Sequence, residues 1–164
     1  VASGANAAFP HHITSQRKLG NNEMVLIDMG VDFAGYKSDL TRTFFLGKIT
    51  PLAREVYNAV KQAQEKGLRQ IKPQVMAKRI DAAARNFIRE KGYADFFGHN
   101  LGHGVGLEVH ELPRISPREE ALIQPGMVFT VEPGIYLPGK LGVRIEDMVV
   151  VTEKGAEVIS GAID

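Results

Sequence analysis

The chain has 164 residues, 44% hydrophobic and 24% charged, which suits one hydrophobic core and hence a single domain over residues 1–164. Its 20 Lys and Arg nearly balance 19 Asp and Glu, and the signs are interspersed (Lys61 with Glu65, Arg89 with Glu90), which argues against a nucleic-acid partner. There is no cysteine for a disulfide or a thiolate, and no apolar run approaches the roughly 20 residues of a membrane span.

With no signal-peptide pattern, a soluble, cytoplasmic protein is expected. The chain opens Val1-Ala2-Ser3-Gly4 rather than on Met and continues through Phe9-Pro10-His11-His12, so it reads as starting within something longer. Met24 to Phe33 and Tyr36 to Phe45 are strand-like runs split by Ala34-Gly35. A two-residue turn there pairs Phe33 with Tyr36, sets Asp28 opposite Thr41, and makes Asp39 the diagonal neighbour of Asp28 on one face.

Thr50-Pro51 starts a helix, with Thr as cap and Pro in the first helical position. Ala53, Val56, Val60, Ala63 and Gly67 recur at helical spacing and form its buried stripe. A second amphipathic helix follows Pro73 and runs to about Lys91, with Met76, Ile80, Ala83, Phe87 and Ile88 facing inward and Gly92 as the stop. The glycine-rich segment Gly98 to Gly106 carries His99 and His103 and reads as extended rather than helical. Met127 to Tyr136 and Val143 to Thr152 then form a second hairpin, and a turn centred on Gly139 makes Glu132 and Glu146 face each other. The two hairpins share an order of apolar strand, acid and glycine, a faint sign of duplication.

Asp28, Asp39, His103, Glu132 and Glu146 each stand at a strand or glycine-rich turn in apolar sequence. Alone, any such acid reads as an edge charge facing water. Together they conflict, because like charges across a strand pair repel and a buried, unpaired carboxylate is costly or becomes protonated. Carboxylates with one imidazole suit hard or borderline divalent ions such as Mn, Co, Fe or Zn. Two ions ~3.5–4 Å apart would use the whole set.

Two other motifs fail. His110-Glu111-Leu112-Pro113-Arg114 begins like a zinc-protease helix, but Arg stands where the second His belongs and Pro113 breaks the helix. Gly102-x-Gly104-x-Gly106 lacks dinucleotide spacing. On residue type alone His99 is structural or lies behind a site, while His11 and His110 could be surface residues.

The segments LIDMGVDFAGYKSDLTRTF, GHNLGHGVGLEVHELPRI, MVFTVEPGIYLPGKLGVRIED and, more loosely, ASGANAAFPHH resemble the C-terminal catalytic domain of the pita-bread metallopeptidases, most closely prolidases and Xaa-Pro aminopeptidases. The resemblance implies an α+β pita-bread fold: a curved antiparallel sheet, flanking helices and a pseudo-twofold repeat, here truncated at its N-terminal side. It implies two divalent ions, Mn first and Co, Fe or Zn as alternatives. Asp28, Asp39 and Glu146 would hold one; Asp39, His103, Glu132 and Glu146 would hold the other.

By the same resemblance His110 would contact the substrate carbonyl and the transition state. His11 would lie near the leaving group or the substrate carboxylate, His99 would line the pocket, and Arg144 would support the bridging carboxylates. The implied reaction is hydrolysis of the bond before proline, in Xaa-Pro dipeptides or at the N-terminus of peptides, through a metal-activated bridging water. Glu132 would move the proton. Alternatives are a broader or methionine aminopeptidase and a metal-free or binding member of the fold. The full-length relatives carry a separate N-terminal domain and imply a homodimer. One local departure is Ile71-Lys72-Pro73-Gln74-Val75, where relatives usually have Gly after the Pro.

Overall fold

The computed structural model describes residues 1–161, so the last three residues of the expected 1–164 domain lie outside the described residues. Strand β1 (Ala2–Ser3) leads into a short 3-10 turn, Gly4–Ala8. The first hairpin comprises β2 (Glu23–Met29), β3 (Asp32–Phe33), β4 (Tyr36–Lys37) and β5 (Leu40–Leu46). Ala34 and Gly35 take φ of 52° and 86°, as a two-residue turn matched to strand twist requires, and the expected pairs Phe33–Tyr36 and Asp28–Thr41 are present.

The strands are not continuous as the sequence suggested; both break near the acids. A Cβ at Gly30 would collide with the Ser38 carbonyl, so the backbones cross there too closely for an ordinary ladder. The Val31 amide donates to the Ser38 hydroxyl at 3.1 Å, and the Ser38 amide donates to the Val31 carbonyl at 2.9 Å. Asp39 sits in this gap, off the regular sheet.

Helix α1 (Pro51–Gln70) is capped as expected, the Thr50 side chain accepting the Ala53 amide at 3.1 Å, and its predicted stripe is buried. Helix α2 (Ala77–Glu90) begins later than read, and its inner face is rotated. Met76 precedes the helix and is 37% exposed, and Ala84 is buried in place of Ala83. The cause is Asp81, fully buried where the hydropathy pattern has no polar group: Arg85 donates to both its oxygens, at 2.7 and 2.8 Å. Gly92, at φ 82°, ends the helix: its amide reaches Arg89 and the Tyr93 amide reaches the Ile88 carbonyl. Between the helices Gln74 occupies φ 67°, a left-handed conformation that favours glycine.

The second half contains β6 (Gly102–Gly104), β7 (Glu111–Ile115), β8 (Val128–Val131), β9 (Gly134–Leu137), β10 (Leu141–Arg144), β11 (Asp147–Thr152) and β12 (Gly155–Val158). The order β12-β11-β8-β6-β7 forms the larger sheet, β1-β2-β5 a three-stranded one, and β9–β10 and β3–β4 two-stranded ribbons, with every pairing among the described residues antiparallel. Leu137 pairs with Leu141 and Val131 with Asp147 in one register, which sets Glu132 opposite Glu146 in the intervening gap.

Both helices pack on the larger sheet around Val56, Val60, Ile80, Ile88, Phe129 and Val131. Each such side chain contributes about 1.5–3 kcal/mol on burial. Strand alternation sends Phe129 and Val131 to that core and turns Thr130 and Glu132 the other way. The Glu146 amide donates to the Thr41 carbonyl at 3.1 Å, joining the two hairpins at their interruptions. Among the described residues no helix is long and apolar enough to cross a membrane.

Candidate metal centre

The two interrupted hairpins aim their acids at a shared cavity of about 1010 Å³. Asp39 enters from the gap before β5, Glu146 from the gap before β11, and His103 from the middle of β6. One donor atom from each of these three lies within 4.8 Å of the others. His103 Nε2 is 3.7 Å from Asp39 Oδ2 and 3.3 Å from Glu132 Oε1. Its Nδ1 lies 3.0 Å from the Gly104 carbonyl, which only accepts, so Nδ1 carries a proton, and Nε2 is the nitrogen turned toward the acids.

The carboxylates strain against each other. Burial, then the charges of Glu132 and Asp39, push the Glu146 carboxyl up to about 8. Burial and the neighbouring Asp28 also raise Asp39. Burial acts in the same sense on Glu132 and is the largest single influence there, but the His103 hydrogen bond together with the charges of His99, His103 and Arg144 holds that carboxyl below its ordinary value. For His103, burial is the largest single influence and opposes the charged form, yet the bonds to Glu132 and the Gly104 carbonyl and the charges of Glu132 and Asp39 together lift the ring to about 9. Crowded acids with one imidazole nitrogen among them form a donor set that a divalent cation would relieve, and the residues therefore fit one.

Asp28 is placed differently. Its side chain is 44% exposed and ion-paired with Arg144, at the edge of the cluster rather than in the close triad. Arg144 is a hub: Nε donates to the Thr41 hydroxyl at 3.1 Å, and Nη1 donates to the Tyr136 hydroxyl at 2.9 Å and the Pro10 carbonyl at 3.2 Å. It thereby ties the segment bearing His11 to the acids. His11, His99 and His110 all line the cavity. The His110 ring centroid is 4.1 Å from that of His103. His99 donates from Nδ1 to the Asn100 carbonyl at 2.7 Å, which leaves Nε2 to accept the Tyr136 hydroxyl at 2.9 Å. Burial lowers its basicity, consistent with a neutral ring.

Several contributors were not singled out from sequence. The Thr130 hydroxyl donates to Glu132 at 3.1 Å and accepts the His103 amide at 3.1 Å. Thr41 and Tyr136 link the acids, Arg144 and His99. Arg85 donates to the Phe97 and His99 carbonyls, holding the His99 loop on α2. Arg114, paired with His103 across β6 and β7, adds a cation to the cavity wall. The available signal was a hydroxyl residue near an acid in an apolar strand, as in Thr130-Val131-Glu132.

The model of metallopeptidase family M24 matches residues 1–153. The Xaa-Pro dipeptidase of Pyrococcus furiosus is 47% identical over 157 residues, covering 96% of this chain and 45% of that protein. The solved prolidase structure from Pyrococcus furiosus superposes with a TM-score of 0.97 at 45% identity, over 99% of this chain and 48% of that one. The X-Pro aminopeptidase structure from Thermotoga maritima gives 0.94 at 46% identity, over 97% and 45%. The chain thus spans about half the length of the curated relatives it matches. Its helices and interrupted antiparallel hairpins form the pita-bread fold expected from the sequence. With the match running through nearly all the described residues, the chain belongs to metallopeptidase family M24.

Proposed function

We propose that this chain carries the catalytic site of a cytoplasmic, dinuclear-metal exopeptidase that hydrolyses the peptide bond before proline. The observation that carries the reading is the convergence of Asp39, His103 and Glu146 donor atoms within 4.8 Å, with Glu132 adjoining, in a cavity that His110 also lines. The named relatives are an Xaa-Pro dipeptidase and an X-Pro aminopeptidase, and the proposal takes this chain's substrates from the same class, Xaa-Pro dipeptides or peptides beginning Xaa-Pro. Mn is the proposed metal and a homodimer the proposed state of the full-length protein.

Asp28, Asp39 and Glu146 would hold one ion, and Asp39, His103, Glu132 and Glu146 the other. Bound ions supply a water acidified to the neutral range and a polarised scissile carbonyl. The chain's own groups do the rest. Glu132 accepts a proton from the attacking water and returns it to the proline nitrogen, which must be protonated to leave as an amine. His110 donates to the oxygen that becomes negative as the carbonyl is attacked. His11 and His99 border the substrate, and Arg114 offers a cation to a free carboxylate.

The test is metal content after reconstitution with Mn, alongside hydrolysis of Xaa-Pro dipeptides and longer Xaa-Pro peptides. Two ions per chain with proline-dependent cleavage are expected, and the preferred length separates dipeptidase from aminopeptidase. Asp39→Asn and Glu146→Gln should each lose metal and hydrolysis while remaining folded. No metal uptake by the wild type would overturn the reading and favour a binding member of the fold.

A further inference from the structure

Asp39 lies where the first hairpin is unzipped, between the end of β4 at Lys37 and the start of β5 at Leu40. A ligand in such a gap is not aimed by its own sheet. Its amide instead donates across to the other half of the molecule, to the thioether Sδ of Met148 at 3.2 Å. Sulfur is a weak acceptor, but this one is firmly mounted. Met148 is buried in β11, paired with Thr130 of β8. Its amide donates to the Ser160 hydroxyl at 2.9 Å, and its carbonyl accepts the Ile159 amide at 3.0 Å.

From this geometry we infer that Met148 is a positioning residue for the metal centre, its sulfur fixing the backbone of Asp39 so that the carboxylate meets His103 and Glu146. This rests on the proposed metal site, since it concerns how one ligand is aimed. The pairing spans the two hairpins and joins the Thr41–Glu146 bridge and the Arg144 contacts in tying them together, on the Asp39 side. Met148 also lines a second cavity, of about 810 Å³, walled by Tyr36, Val105, Leu112 and Met127 among others. That space can accept a polar terminus at position 148, which makes a rescue experiment possible.

Met148→Leu keeps the volume and removes the acceptor; Met148→Gln places a carbonyl oxygen at similar reach. Mn affinity by calorimetry and exchange of the Asp39 amide by NMR are measured on both variants and the wild type, with melting temperature followed in parallel. The leucine variant is expected to bind Mn about tenfold more weakly, the lower end for groups that support metal ligands. Its Asp39 amide should exchange faster at nearly unchanged melting temperature, and the glutamine variant should recover both properties. Wild-type affinity and amide protection in Met148→Leu would overturn the inference, as would equal loss in both variants with a lowered melting temperature, the signature of packing alone. If the wild type takes up no Mn, the metal reading itself fails, and the positioning role, which needs that site, falls with it. The Asp39 amide then reports only whether the contact forms.

Discussion

Thr41 and Glu146 meet twice at the junction of the two hairpins. The Glu146 amide donates to the Thr41 carbonyl at 3.1 Å, and the Thr41 hydroxyl donates to the Glu146 carboxylate at 2.6 Å. The same hydroxyl accepts Arg144 Nε at 3.1 Å, so one oxygen serves an acid of the metal cluster and the guanidinium behind it. Thr41→Val preserves shape, takes from Glu146 its hydroxyl donor and removes the acceptor of Arg144 Nε. Metal-free stability should fall by about 1–3 kcal/mol in urea unfolding, with Thr41→Ser restoring most of it. An unchanged midpoint in the valine variant would show the hydroxyl to be dispensable.

His110 stands beside His103 yet outside the close donor triad. His110→Ala should therefore leave Mn content intact and lower kcat by about 10²–10³, the range for losing one donor to a developing oxyanion. Metal analysis and steady-state kinetics on the same preparation decide this. A parallel fall in bound metal would make His110 a ligand.

Gln74 holds φ 67° between the helices. Its amide donates to the Ile123 carbonyl at 2.8 Å, so the conformation is fixed by a backbone bond that a glycine at this position would keep. Gln74→Gly should raise stability by about 1 kcal/mol through relief of left-handed strain, less the added freedom of the unfolded chain. A loss in thermal unfolding would mean that the exposed Gln74–Gln124 side-chain bond outweighs the strain.

Glu23 accepts Arg17 at 3.0 and 2.7 Å and the Gly20 amide at 2.5 Å, and these bonds, Arg17 foremost, hold its carboxyl at about 2 against an ordinary 4.5. The folded value lies below the unfolded one, so the contribution to stability is complete above pH 4.5 and fades as pH falls toward 2. The melting-temperature gap between wild type and Glu23→Gln should be widest near neutrality and close across that window. A gap independent of pH would contradict it.

The hairpin registers were legible because their turns are: Ala34-Gly35 and Gly139 fix which residues face, and the pairings follow. The caps at Thr50 and Gly92 were legible for the same local reason. What eluded sequence reading was tertiary. Asp81 turns inward where the Leu101 amide reaches it at 3.2 Å and Arg85, one turn along its own helix, at 2.7 Å; the first partner is tertiary, and a hydropathy pattern sees neither. The gaps at Asp39 and Glu146 arise from close backbone crossing at Gly30 and from the contact between hairpins. Asp28 showed its position but not its attachment to Arg144, a residue 116 places away.

The junction of the hairpins also decides what a bound cation would hold together. Asp39 and Glu146 are far apart in the chain, and neither hairpin alone supplies a complete cage. The full donor set comes together only where β11 lies against β5, since Asp39 belongs to the first hairpin while His103, Glu132 and Glu146 belong to the second half. A cation bound there would clasp both halves at once, making occupancy of the centre a lock on the assembly.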